Sequence, residues 1–255
     1  MVREFLLTSE IAKAAGVHPN TVRLFEAAGY LPPVPRTASG YRMFTEFHRD
    51  QMILARLLLQ WPYPGGKALV EEIVTHSAGG DLGGALELAY TYLAQVHAEQ
   101  AHAEAAAKLL ERWAQGVAAE PFKEPLTIGA TAKLLGITVD MLRNWERNGL
   151  VTIPRNPRNG YRRYGSAEIG RLRVIRTLSR AGYSQMALLR TLLQVDRGAA
   201  PDLRHTLDTP GPNEDAAAIT DQWCTTLAQV ERRVLEALTL LERMIQHPYQ
   251  KPRKP

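Results

Sequence analysis

The chain repeats itself at a fixed offset of 120 residues. Residues 6–74 laid over residues 126–194 need no gap, and the overlay puts Ala12-Lys13 on Ala132-Lys133, Gly16 on Gly136 and Arg23 on Arg143. It also puts Glu26 on Glu146, Gly29 on Gly149 and Gly40-Tyr41-Arg42 on Gly160-Tyr161-Arg162. The duplication constrains the fold more tightly than composition does, because one architecture has to satisfy both copies. Two like units in one chain point to a molecule built around an internal two-fold.

Each copy opens with a short amphipathic helix, Ser9 to Ala15 and Gly129 to Leu135. Each helix stops at a glycine, Gly16 or Gly136, the residue that accepts the left-handed cap conformation. A second helix follows, running to about Ala28 or Asn148, with His18-Pro19 and Thr138 as its N-terminal signals. Two short helices about a glycine turn read as helix-turn-helix, whose second helix can enter a major groove. Next come turn residues between short β-prone pieces, Tyr30 to Phe44 and Leu150 to Tyr164, which suit a two-stranded wing with a tight tip. Helical periodicity then resumes, breaks at Trp61-Pro62-Tyr63-Pro64 or Ala181-Gly182-Tyr183-Ser184, and closes each head with one more short helix.

A long helix follows each head. Trp223, Leu227, Val230, Val234, Ala237, Leu241 and Met244 keep a heptad in the second, as do Leu82, Leu86, Ala89, Leu93, Val96, Gln100, Ala103, Ala107 and Leu110 in the first. The expected fold is mainly α: two winged helix-turn-helix heads, each followed by a long helix, with the two long helices paired as an antiparallel coiled coil about a pseudo-two-fold. Pairing between two chains is the competing arrangement. The boundaries are a first head at 1–75, long helix and linker at 76–120, a second head at 121–197, loop and second long helix at 198–247, and a basic tail at 248–255.

Charge separates the copies. Residues 126–194 hold 12 basic and 3 acidic side chains, against 7 and 6 in residues 6–74. A basic field of that density favours a polyanion, and nucleic acid is the obvious one. No apolar run approaches the length of a membrane span and no secretory signal precedes the first head, so the expectation is a cytoplasmic, nucleoid-associated protein with no membrane partner. Cys224 is the single cysteine and has no neighbours with which to build a metal site. His97 and His102 are five apart, off a shared helix face. No cofactor is expected. With no Gly-rich phosphate loop and no nucleophile and base at motif spacing, the sequence does not read as an enzyme.

The order helix-turn-helix, wing, helix pair, long helix resembles that of MerR-type transcriptional regulators. In the second copy Ile128-Gly-Ala-Thr-Ala-Lys-Leu-Leu-Gly-Ile137, Leu142-Arg-Asn-Trp-Glu146, Gly149-Leu150, Gly160-Tyr-Arg-Arg-Tyr164 and Gly182-Tyr183-Ser184 carry the resemblance. In the first copy Ile11-Ala-Lys-Ala-Ala-Gly-Val17, Val22-Arg-Leu-Phe-Glu26, Gly29-Tyr-Leu31 and Gly40-Tyr-Arg-Met-Phe44 carry it. Paired tyrosines common after the recognition-helix arginine are replaced by Leu24-Phe25 and Asn144-Trp145, and the first copy replaces the Gly-aromatic-Ser turn with Pro62-Tyr63-Pro64-Gly65-Gly66.

The resemblance implies a fused pseudo-dimer, monomeric or further paired as a homodimer, that binds double-stranded promoter DNA and distorts it for RNA polymerase. Any small-molecule effector would bind at the long helices, where Trp113, Trp223, Tyr90 and Tyr92 line a pocket or pack the coiled coil. The DNA-binding set it nominates is Thr138, Asp140, Met141, Arg143 and Asn144 on the second recognition helix, and His18, Asn20, Thr21 and Arg23 on the first. Arg155, Arg158, Tyr161, Arg162 and Arg163 in one wing, Arg36, Tyr41 and Arg42 in the other, and Tyr183 complete it. Trp145 and Phe25 are expected in the core. Two other readings stay open: an architectural DNA-bending protein, and an adaptor whose N-terminal head meets a protein partner.

Overall fold

The computed structural model describes residues 5–116, 124–198, 202–210, 222–247 and 249. These residues are mainly helical and fall into two units, one drawn from 1–98 and 228–255, the other from 99–227. Within each head the elements come in the same order. The first head has α1 (Thr8–Ala15), α2 (Pro19–Ala27), α3 (Glu46–Leu58) and α4 (Lys67–Ala78), followed by the long α5 (Leu82–Ala114). The second has α6 (Ile128–Leu135), α7 (Val139–Arg147), α8 (Ser166–Arg180) and α9 (Gln185–Asp196), then α10 (Leu203–Asp208) and α11 (Trp223–Gln246).

The local signals act as the sequence predicts. Gly16 and Gly136 end α1 and α6 in the left-handed region, at φ 62 and 59. His18 caps α2 by accepting from the Asn20 amide, and Thr138 caps α7 by accepting from Met141. Such caps satisfy amides that the first helical turn leaves without partners. The wings differ from expectation: among the described residues each hairpin is joined by an isolated bridge, Arg36 to Arg42 and Arg155 to Arg162, not by a ladder. A second bridge, Leu6 to Phe44 and Leu126 to Tyr164, ties the chain before the first helix of each head to the end of its wing.

The bridges also correct the gapless overlay. Arg42 matches Arg162 at the common offset, yet Arg36 is paired where Arg155 is paired, one position out of register. Met43 donates to the Pro35 carbonyl as Arg163 donates to Pro154. The second wing therefore has one more residue at its tip and one fewer before it, so equal length concealed two compensating shifts. Its tip closes with Gly160 donating to Asn156, whereas the first closes with Gly40 donating to Thr37.

In the first unit Ala85, Ala89, Tyr92 and Val96 of α5 share a core with Leu54, Val70 and Ile73 of α3 and α4, and with Val234, Ala237 and Leu241 of α11. Tyr90 donates to Glu242 and His97 lies 2.9 Å from Glu231, so in this unit one helix segment ascends as the other descends. All seven predicted seam positions of α11 are buried. In α5 the buried stripe includes Tyr92, while the predicted Leu82, Leu86 and Leu93 are only partly covered. A helix that packs on head helices as well as on α11 centres its buried face between them, which a two-helix seam does not foresee.

The second unit has its own core, in which Trp145, Leu150, Tyr164, Leu172 and Leu188 of the head meet Ala103, Leu110 and Leu227 of the long helices. The stretch at 198–215 read as a loop contains α10, which Asp202 caps by accepting from Arg204 and His205. The rest of that loop, apart from residues 198 and 202–210, and the basic tail, apart from Tyr249, lie outside the described residues. No helix among the described residues is long and apolar enough to cross a membrane.

Candidate nucleic-acid interface

Each recognition helix buries one face and leaves the other open. On α7, Leu142 and Trp145 go into the core while Asp140, Met141 and Arg143 are exposed. On α2, Val22 is buried and Asn20, Arg23 and Leu24 are exposed, with Thr21 partly covered. Those spacings are the 3–4 residue repeat of an α-helix, so the open residues form one stripe per head. Arg143 leans on Asp140 at 3.1 Å, one helical turn back, and Arg23 donates to Asn20 at 3.2 Å. Both pairs lie at the surface, where such contacts contribute little and are readily exchanged. Asn144 is half-buried, its carbonyl oxygen accepting from Asn148, which also donates to Gln185 at 2.7 Å.

The same ion pair fixes the wing to the recognition helix in both heads. Arg42 Nε donates to Glu26 Oε2 at 2.6 Å, and Arg162 Nε donates to Glu146 Oε2 at 2.6 Å. All four side chains are mostly covered. Arg42 and Arg162, nominated as backbone clamps, are thus committed to a carboxylate within the protein: a charge-assisted bond at this distance is strong and directional, and it orients the wing. Arg36, Arg155, Arg158, Arg163, Tyr41 and Tyr161 are exposed, Tyr161 by 74% and Tyr41 by 68%, so neither tyrosine is a packing residue. Arg36 and Arg155 each reach the carbonyl of the tip glycine, Gly40 or Gly160. In the longer tip, Asn156 accepts from the Arg158 amide and holds that arginine at the apex.

Tyr183 does not belong to the exposed set. It is 5% exposed, its hydroxyl lies 3.3 Å from the Ala103 carbonyl and 3.1 Å from Cys224 Sγ, and burial pushes its pKa up. The motif that nominated it is a helix junction, with Ser184 capping α9 and Gly182 at φ 95. A Cβ at Gly182 would meet the Trp223 ring at 2.5 Å. The aromatic there fills the core because the junction turns it inward. Trp145 is buried and Phe25 half-buried, as expected of core residues.

Two repeated contacts escape a reading by motif. Gln51 Nε2 donates to the Tyr30 carbonyl at 2.9 Å and Arg171 Nε to the Leu150 carbonyl at 2.7 Å, at matching positions of the two heads. Each bond ties α3 or α8 to the backbone where the recognition helix ends. Arg56 and Arg176 also match: a Cβ at Gly16 would lie 4.0 Å from the Arg56 guanidinium carbon, and one at Gly136 3.8 Å from Arg176 Nη2. A cation therefore stands beside each helix-turn-helix turn. The shared offset is the one signal in the sequence that could have picked out either pair.

Comparisons with known proteins agree with this duplication. The MerR HTH family regulatory protein model matches residues 126–194, and the MerR family regulatory protein model matches residues 8–44. The mercuric resistance operon regulatory protein of Serratia marcescens is 39% identical over 75 residues, covering 29% of this chain and 51% of that protein. Its counterpart from Bacillus cereus is 28% identical over 120 residues, 46% of this chain and 78% of that protein. A probable heavy metal-dependent transcriptional regulator of Haemophilus influenzae is 35% identical over 59 residues, 23% of this chain and 46% of that protein. The chain spans about half the length of the first of these relatives. No solved structure matches it. Residues 8–44 and 126–194 are thus two MerR-type units carried in tandem by one chain.

Proposed function

We propose that this chain is a sequence-specific regulator of transcription that binds double-stranded promoter DNA with both heads, doing in one polypeptide what a MerR-type dimer does with two. The observation that carries the reading is the double occurrence of an open recognition stripe locked by an ion pair to an arginine-bearing wing. The stripe reads base edges in the major groove while the wing arginines hold phosphates. In this reading the two heads act as the two halves of one pseudo-dimer. Binding distorts the DNA between promoter elements, which RNA polymerase then engages together.

The relatives' names speak of mercury and heavy metals. This chain has one cysteine, Cys224, and its sulfur is engaged by Tyr183; among the described residues no three His, Cys, Asp or Glu side chains gather as metal ligands. We therefore assign no thiolate-bound metal signal to it. An effector, if the protein uses one, binds along the long helices.

The test is selection of bound sites by the full chain from a random duplex library at near-physiological salt, with the mass of the complex measured by sedimentation. One chain on two unlike half-sites is the expected result. A palindrome bound by two chains would replace the fused dimer with an ordinary one, and no enrichment over competitor would sink the reading in favour of an architectural role.

A further inference from the structure

The two recognition helices carry one polar and one apolar side chain in opposite order. At matching positions the first head has Thr21 then Leu24, and the second has Met141 then Asn144. Leu24 is 67% exposed and Met141 is 41% exposed, and each stands among polar groups that a base edge would meet: Asn20 and Arg23 beside Leu24, Asp140 and Arg143 beside Met141. Neither helix needs a large apolar side chain on its open face, since Val22 and Leu142 already supply its core contact. In a major groove the apolar feature that distinguishes one base from the rest is the C5-methyl of thymine.

Resting on the DNA-binding reading above, we propose that Leu24 and Met141 are specificity residues, each of which packs on a thymine methyl in the half-site of its own head. The two are three residues out of step along equivalent helices, about 4.5 Å of helix rise, against about 3.4 Å per base along a strand. The preferred thymine consequently falls at different positions in the two half-sites, by roughly one base step. This makes the halves unlike even where the flanking arginines match. The opposite order also predicts that an amide reads a base where the other head has its methyl contact: Asn144 takes the groove position that Leu24 takes in the first head.

The first arm is done on the DNA, where protein folding does not enter, and the second uses variants of two exposed side chains. On a duplex selected by the full chain, each thymine is replaced in turn by uracil, which removes the C5-methyl alone, and affinity is read by fluorescence anisotropy. One uracil per half-site should weaken binding about fourfold, the worth of one buried methyl group at about 0.8 kcal/mol. With Leu24→Ala the sensitive position in the first half-site should become indifferent to uracil, while the second keeps its full effect. Met141→Ala should do the reverse. Uracil tolerated throughout the selected duplex overturns this inference and leaves DNA reading intact, as does an alanine variant whose uracil effect is unchanged. Failure to select any duplex overturns both.

Discussion

The two heads solve one set of structural problems with different residues. Where α3 or α8 must hold the carbonyl that follows the recognition helix, the first head uses the buried amide of Gln51, which also donates to Val74 and accepts from Ser77. The second uses Arg171, whose guanidinium is in turn held by Asp196 at 2.9 Å and stands over the Trp113 ring. Where α3 or α8 begins, the Thr45 amide donates to His48 Nδ1, while the Gly165 amide donates to Glu168 Oε2. The Arg–Glu brace, by contrast, is kept unchanged in both residues and distance. The backbone positions are what the two heads share, and the side chains that hold them differ. A neutral buried amide and a charged, externally paired guanidinium serve equally, because each aims an N–H at the same oxygen.

The largest expected effect bears on the cores. Trp145→Ala should cost the second unit about 3–5 kcal/mol through loss of a fully buried ring, and Phe25→Ala, half-buried, should cost the first unit less; hydrogen exchange resolved by unit would measure both. Equal losses would show that the heads lean on this position alike despite unequal burial. Next, Arg42→Ala and Arg162→Ala should each destabilise their own head by about 1–3 kcal/mol, because a mostly covered glutamate is left without its donor. Thermal unfolding of the two variants should match closely, and a silent variant in either head would break the equivalence of the brace. On DNA, Arg158→Ala should leave thermal stability unchanged and flatten the salt dependence of binding by about 0.9 in slope, one phosphate contact. No residue of the shorter first tip should have that effect.

The smallest effect is a pH response confined to the first head. Burial lowers the pKa of His48, so the unfolded state binds its proton more readily than the folded state does. Its contribution is therefore full above the unfolded value, near 6.5, and declines as pH falls below it. Melting followed between pH 7.5 and 5.5 should show the first unit weakening in the wild type, and His48→Gln should remove that component. The second unit has Glu168 at this place and should not share it. A response unchanged in the variant would assign it elsewhere.

Much of each head was legible in the sequence because its signals act over one or two helical turns. Gly16 and Gly136 stop helices by their own backbone freedom, and Thr138 caps α7 through a neighbour three residues away. The seam of α11 follows from periodicity. The wing register was hidden by two shifts that cancel in length, and only the pairing of Arg36 and Arg155 reveals them. Tyr183 looked like a surface residue because its motif says that a turn is there, not which way the turn faces.

By itself, then, the sequence determined the duplicated helix-turn-helix plan, the caps and breaks of its helices, the apolar stripe of α11 and the excess of positive charge in the second head. All of these depend on residue type and short spacing. Only the tertiary structure decided which cations are free. Arg42 and Arg162 are taken by carboxylates 16 residues away, Arg171 by one 25 residues away, and the Tyr183 hydroxyl sits against a carbonyl 80 residues away. Partnerships across such distances arise where packed elements bring side chains together, and no local pattern in the chain encodes them.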